Sequence, residues 1–184
     1  MDSGLYEAKL EQHYSAFWGP RTARHTWNRG SPFPQQCQVF EYAPSAKTFC
    51  WVYATSLMSS LAQDALLELF LFSPHQAQDN VELLTMIAHY HQTGAELGLG
   101  HTVNFGKPWL PKSPCTCGLI SLPYTLGPRL ENASFEEKKV RILWLIPITA
   151  EERAFKVAAG LNALEELFEK KRFDYLNPGR PSVA

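Results

Sequence analysis

Val140-Arg141-Ile142-Leu143-Trp144-Leu145-Ile146 is a short apolar run rich in β-branched and aromatic residues, and Pro147 follows it. Such a run bounded by a breaker reads as a buried strand that ends at the proline. Thr149-Ala150-Glu151-Glu152 comes next. A Thr with a Glu three residues later is a capping box, in which each side chain satisfies a backbone donor at a helix start. Ala154, Val157, Ala158, Leu161, Leu164 and Phe168 then recur at helical spacing, so one helix is expected through them. Glu152 with Lys156 and Glu166 with Lys170 are i,i+4 pairs for its exposed face. Lys170, Lys171 and Arg172 suit the negative end of its dipole. A Pro-rich tail closes the chain. The helix is expected to cover one face of a sheet that contains the strand.

Upstream, Tyr6, Leu10, His13, Tyr14 and Phe17 form a helical stripe that Gly19-Pro20 ends. Residues 20–36 read as a loop with Arg21, Arg24, His25, Trp27 and Arg29 and no acid. It is either a solvated connection or a contact arm for an acidic partner. Cys37–Tyr42 and Thr48–Ser56 read as a hairpin, the second strand central. Leu66–Phe72 reads as a third strand because Pro74 follows so soon. Asp79 or Asn80 caps a helix that carries Leu83, Leu84, Ile87, Ala88 and Tyr90 and stops at Gly94. His101–Phe105 and Gly118–Leu122 are further strands, with a Pro-rich loop between them. Residues 125–139 read as a polar link. The interleaved order predicts an α+β fold: a central mixed, largely antiparallel β-sheet flanked by helices.

The 184 residues suit a single domain spanning 1–184. A domain of this size buries about 70% of its unfolded surface, enough to need no metal or disulfide staple. A net charge of -1 disfavours nucleic acid and anionic lipid as partners. No apolar run has the roughly 20 residues that span a bilayer. The N-terminus has no signal-peptide pattern, and Cys37, Cys50, Cys115 and Cys117 form no disulfide framework. A cytoplasmic protein with reduced thiols is expected.

Chemistry-bearing patterns are sparse. His89 and His91 point to different faces of a helix, and Cys115-x-Cys117 with His101 lacks both the usual zinc spacing and a fourth ligand. There is no nucleophile elbow, Walker A loop or dinucleotide fingerprint. No catalytic residue, cofactor or metal is therefore assigned. A hydrolase would need Cys37, Cys50 or Ser56 beside a histidine in a pocket. Glu165, Glu166 and Glu169 read as a solvated charged face. Trp27 and Trp109, both in Pro- and Gly-rich loops, either pin those loops to the core or anchor a protein partner.

Val39-Phe40-Glu41-Tyr42-Ala43-Pro44-Ser45, Glu68-Leu69-Phe70-Leu71, Ser121-Leu122-Pro123-Tyr124 and the segment from Trp144 to Val183 together resemble the suppressor-of-fused domain family. Leu176-Asn177-Pro178-Gly179-Arg180-Pro181-Ser182-Val183 is similar to that family's closing signature. The likeness runs from about residue 35 to the end. One departure is Ser56, where family members often carry glycine. The resemblance implies an α/β sandwich that binds proteins and is not an enzyme. The animal member holds zinc-finger transcription factors of the Gli class in the cytoplasm and has a second domain. Single-domain relatives of this length are typically bacterial, and many are proposed to be immunity proteins that neutralise toxins of polymorphic toxin systems. An intracellular regulator that binds a partner's peptide strand is the alternative, and a hydrolase the second alternative. In the animal protein the partner peptide adds beside a strand, and His101–Phe105 takes a similar place by resemblance. Trp27, His101, Asn104 and Trp109 are accordingly the candidate partner-binding residues.

Overall fold

Strand β8 (Lys138–Thr149) is the spine of the sheet. Its neighbours are β4 (Ala65–Ser73), parallel along one edge, and β6 (Cys115–Ser121), antiparallel along the other. The computed structural model describes residues 2–26, 37–63 and 65–184. The remaining strands are β1 (Ala23–Thr26), β2 (Gln38–Tyr42), β3 (Trp51–Ser56), β5 (Thr102–Asn104) and β7 (Asn132–Phe135). They lie in the order β1-β2-β3-β4-β8-β6-β5, with β7 paired to the start of β8. Every pair except β4 with β8 is antiparallel. The fold is α+β, with a mixed and largely antiparallel sheet.

Helices cover both faces, so the inner strands are apolar on both sides and still alternate. In β4, Leu66, Phe70 and Phe72 face one core; Leu67, Leu69 and Leu71 face the other. Helix α1 (Ser3–Trp18), started by the Asp2 carboxylate and stopped at Gly19, buries Tyr6, Leu10, Tyr14 and Trp18 in the first core. Helix α5 (Leu161–Lys171) adds Leu164 and Phe168 to it. Helix α2 (Gln78–Thr93) buries Val81, Leu83, Leu84, Ile87 and Ala88 in the second. No helix among the described residues is long and apolar enough to cross a membrane. The four cysteines are free and buried.

The sequence reading needs correction at several places, each for a local reason. Pro147 does not end β8; it lies within it, opposite Gly118. Gly118 also faces Val103 of β5, in a register where Phe105 and His101 bond to Thr116 and Ile120. Alternation therefore turns the Gly118 main-chain groups toward β5, and the Pro147 groups away from β6. On that side the pairing of β4 with β8 already ends at Phe70 opposite Trp144, so no ladder bond is lost. The expected single helix is broken at Gly160, φ +96°, into α4 (Ala150–Ala159) and α5. In α4 only Glu152 is buried, and Val157 is exposed, so its apolar residues are not a core stripe. The capping box of Thr149 and Glu152 is present.

Part of the presumed loop 20–36 is β1, and the presumed polar link holds a short helix α3 (Pro128–Glu131) and β7. Neither Asp79 nor Asn80 caps α2, which starts at Ala77 without a side-chain cap, and Tyr90 is exposed. Cys115 and Cys117 stand on β6, at a bulge, and not in the preceding loop.

Gly118 permits close packing: a Cβ there would come 2.7 Å from Leu145 Cδ1 and 2.8 Å from Phe105 Cε1. Gly118→Ala should cost about 1–3 kcal/mol through overpacking, measurable as a lower urea midpoint with an unchanged slope.

Candidate functional site

Among the described residues the sheet ends on one side at β5, which pairs with β6 along one edge only. The Phe105 N–H donates to the Thr116 carbonyl at 2.9 Å, and the Ile120 N–H to the His101 carbonyl at 2.9 Å. Residues 101, 103 and 105 thus turn their main-chain groups to β6, and Thr102 and Asn104 turn theirs outward. An edge of this kind is a template for another strand.

A groove of about 410 Å³ runs beside that edge. Leu83, Met86, Ile87 and Tyr90 of α2 form one wall, Thr102–Phe105 the floor, and Arg153 of α4 closes one end. Met86 and Tyr90 are 45% and 48% exposed, unusual for large apolar side chains. Arg153 Nε donates to Thr102 Oγ1 at 3.4 Å, which brings a guanidinium to the strand edge. Lys107, bonded to Glu82 at 3.2 Å, adds a neighbouring ion pair.

The candidate residues separate clearly here. His101 and Asn104 are exposed on the same edge segment. Asn104 Oδ1 accepts the Gly106 N–H at 2.9 Å and closes the turn after the strand. Trp109 is buried at 2% exposure, and its indole N–H donates to Asn80 Oδ1 at 2.9 Å. Of its two readings, Trp109 is the pin that holds the loop to the core, with no face left for a partner. Trp27 lies outside the described residues, as does Arg29. Sequence reasoning missed Met86, Tyr90 and Arg153. Met86 and Tyr90 form an i,i+4 apolar pair away from the core stripe of α2, and that was the available signal.

The arginines and the histidine on and before β1 are matched by acids from elsewhere. Arg21 pairs with Glu11 at 3.1 Å, Arg24 with Glu7 at 2.7 Å, and His25 with Glu41 at 3.1 Å. The expected pair of Glu152 with Lys156 does not form, because Glu152 is buried and taken by Arg180. Glu165 is not simply solvated: it accepts hydroxyls from Ser121 and Tyr124.

The possible nucleophiles are buried. Cys37 donates weakly to the Gln38 carbonyl, and burial pushes the Cys37 and Cys50 thiols up, away from thiolate. Ser56 is fully buried, and its hydroxyl has no partner among the described residues. Ser59 does lie 3.1 Å from His91 Nε2. His91 Nδ1, however, accepts the Leu97 N–H, so Nε2 carries the proton and cannot take one from Ser59. Ser59 also donates to the Leu67 carbonyl and accepts the Leu67 N–H, as a bridge across a strand end. No His, Cys, Asp and Glu cluster able to hold a metal occurs among the described residues.

Comparison with known proteins agrees with this fold. The family model described as Suppressor of fused protein (SUFU) matches residues 34–181. The crystal structure of a SUFU homologue from Neisseria gonorrhoeae is similar over 97% of both chains, at 32% identity and a TM-score of 0.84. A chain of the Sufu–Fu complex matches at 15% identity and TM-score 0.71, over 97% of this chain and 91% of that one. Drosophila Suppressor of Fused matches at 14% identity and TM-score 0.72, over all of this chain and 54% of its own. No curated protein matches the sequence. With four-fifths of its length under the family model and a full-length structural relative, the chain belongs to the suppressor-of-fused family.

Proposed function

We propose that this chain is a non-enzymatic, cytoplasmic protein-binding domain, one unit over residues 1–184, that accepts an extended segment of its partner along the open edge of β5. The outward main-chain groups of Thr102 and Asn104 carry this reading. An added strand would bond to them, while Met86, Tyr90 and Val103 would supply the apolar pocket that sets selectivity. Family membership and the buried serines and cysteines support binding over catalysis. The partner in this reading is a toxin, and the chain a bacterial immunity protein that neutralises it; likeness to a homologue from a bacterium supports the bacterial part of this. A second reading, an intracellular regulator, is favoured by the relative whose structure is a Sufu–Fu complex. Both use the same edge and need no cofactor.

Asn104→Pro tests the edge. Proline removes a donor that points outward and leaves the β6 ladder intact. Co-expression with the toxin encoded beside the gene, followed by pull-down and a growth assay, should show complex and protection. Asn104→Ala, which gives up only the Gly106 turn bond, should bind as the wild type does, whereas loss of the outward N–H in Asn104→Pro should weaken binding about tenfold. Undiminished binding by this variant would exclude β5 as the docking strand, and no complex with any adjacent toxin would exclude immunity.

A further inference from the structure

A second cavity, about 580 Å³, lies on the opposite core face from the β5 groove, between α5, the closing tail and the end of β8. Its size is that of a small-molecule pocket. Aromatic rings form much of the wall. Trp144 and Tyr175 meet edge to face, 5.0 Å apart at 90°, and make a corner. Phe173, stacked on Phe168 at 4.1 Å, continues the wall, and Tyr124 stands 58% exposed at the mouth.

The charge on this cavity is one-sided. Glu165, Glu166 and Glu169 all line it, against Arg172 alone. Glu165 is held in place: Ser121, fully buried, donates to Oε1 at 2.5 Å, and the Tyr124 hydroxyl donates to Oε2 at 2.8 Å. Each carboxylate oxygen keeps a lone pair for a further donor. Ring faces are negative at their centres and attract cations. Phe173 already takes one: the Arg180 guanidinium lies 5.2 Å from its centroid, and Arg180 does not line the cavity. Aromatic walls with one held carboxylate and two exposed ones repel anions and favour a ligand that can donate to them.

We infer that this cavity binds an organic cation, an ammonium or guanidinium group on an apolar stem, with the rings of Tyr124, Phe173 and Tyr175 around the stem and Glu165, Glu166 and Glu169 around the charge. The same group occurs on free amines and on lysine or arginine side chains of a protein. The inference does not depend on strand addition at β5, which uses other residues.

Nuclear magnetic resonance of the full chain tests it, with the Trp144 indole N–H as the reporter. Three probes suffice: choline, the peptide acetyl-Gly-Lys-Gly-amide, and butyrate as an anion. At least one cation should shift the Trp144 signal saturably, and butyrate should not. Choline alone would mark a site for free cations, and the peptide alone a site for a partner's side chain; either upholds the inference. Glu166→Gln with Glu169→Gln, both at exposed positions, should weaken the shift about tenfold, and Tyr124→Leu should do so independently. No saturable shift with either cation by about 10 mM, an equal response to butyrate, or unchanged affinity in both variants would each overturn it.

Discussion

Arg180→Ala should lower the unfolding free energy by about 3–5 kcal/mol, the cost of leaving a buried charge without its partner. Glu152 has no exposed surface, and Arg180 is 4% exposed. The guanidinium meets the carboxylate with two prongs, Nη1 to Oε1 at 2.6 Å and Nη2 to Oε2 at 2.8 Å. It also donates to the Pro147 carbonyl at 3.1 Å, the group that β8 turns away from β6. Glu152 in turn accepts the Thr149 and Val183 N–H groups, at 2.9 and 3.0 Å. One ion pair therefore ties the end of β8, the start of α4 and the closing tail. Arg180→Lys keeps the charge but loses the fork, and should fall between wild type and alanine. Urea unfolding followed by circular dichroism measures the series. A loss below about 1 kcal/mol for Arg180→Ala would be the value of an exposed pair and would contradict this role.

The second large effect is a pH dependence centred on Glu68. This residue interrupts the apolar row of β4 beneath α1 and is wholly buried. Burial pushes its carboxyl up to about 7, against hydrogen bonds that hold it down. Those bonds come from Thr55 at 2.5 Å, Tyr6 at 2.8 Å, and the N–H groups of Leu57 and Met58. Leu57 has a left-handed φ of +63°, a strained conformation for leucine, and its N–H is bound to this carboxylate. Below its ordinary value of 4.5 the group is protonated in both folded and unfolded chains and adds no slope. From there to about 7 the unfolded chain releases the proton while the folded chain retains it, so stability falls as pH rises. Above that the contribution is constant. The fall attributable to Glu68 is about 3 kcal/mol. Glu68→Gln cannot titrate, so subtracting its stability profile from that of the wild type should isolate the decline. Parallel profiles for the two proteins across this interval would refute it.

What the sequence makes legible is what neighbouring residues decide. The Thr149–Glu152 box, the α1 stripe and the apolar runs of β3, β4 and β8 are local patterns, and each forms in its expected stretch, although β3 starts at Trp51 and not Thr48 and β8 runs on past Pro147. Pro147 reads as a stop only when β8 is considered alone. Whether its missing N–H matters depends on the register with β6 and on where the β4 pairing stops. Glu152 reads as an exposed helix partner of Lys156 because its true partner is 28 residues away. Gly160 sits in a continuous helical pattern, and only its left-handed φ, with an exposed α4 before it, reveals the break. The site divides in the same way. His101 and Asn104 lie on a recognisable strand, whereas Arg153 reaches the groove from α4 through the fold, which no spacing in the chain records. Trp109 reads equally as pin or anchor until Asn80 is found against its indole. Ser56 was the noted departure from the family pattern, yet the left-handed residue is its neighbour Leu57.

The most direct test of strand addition is amide hydrogen exchange across β5, free and in complex with a partner protein captured by co-expression. The Thr102 and Asn104 N–H groups, open in the free protein, should become strongly protected on binding, while the Phe105 N–H, already bonded to Thr116, should change little. A stable complex in which Thr102 and Asn104 exchange as fast as before would contradict it.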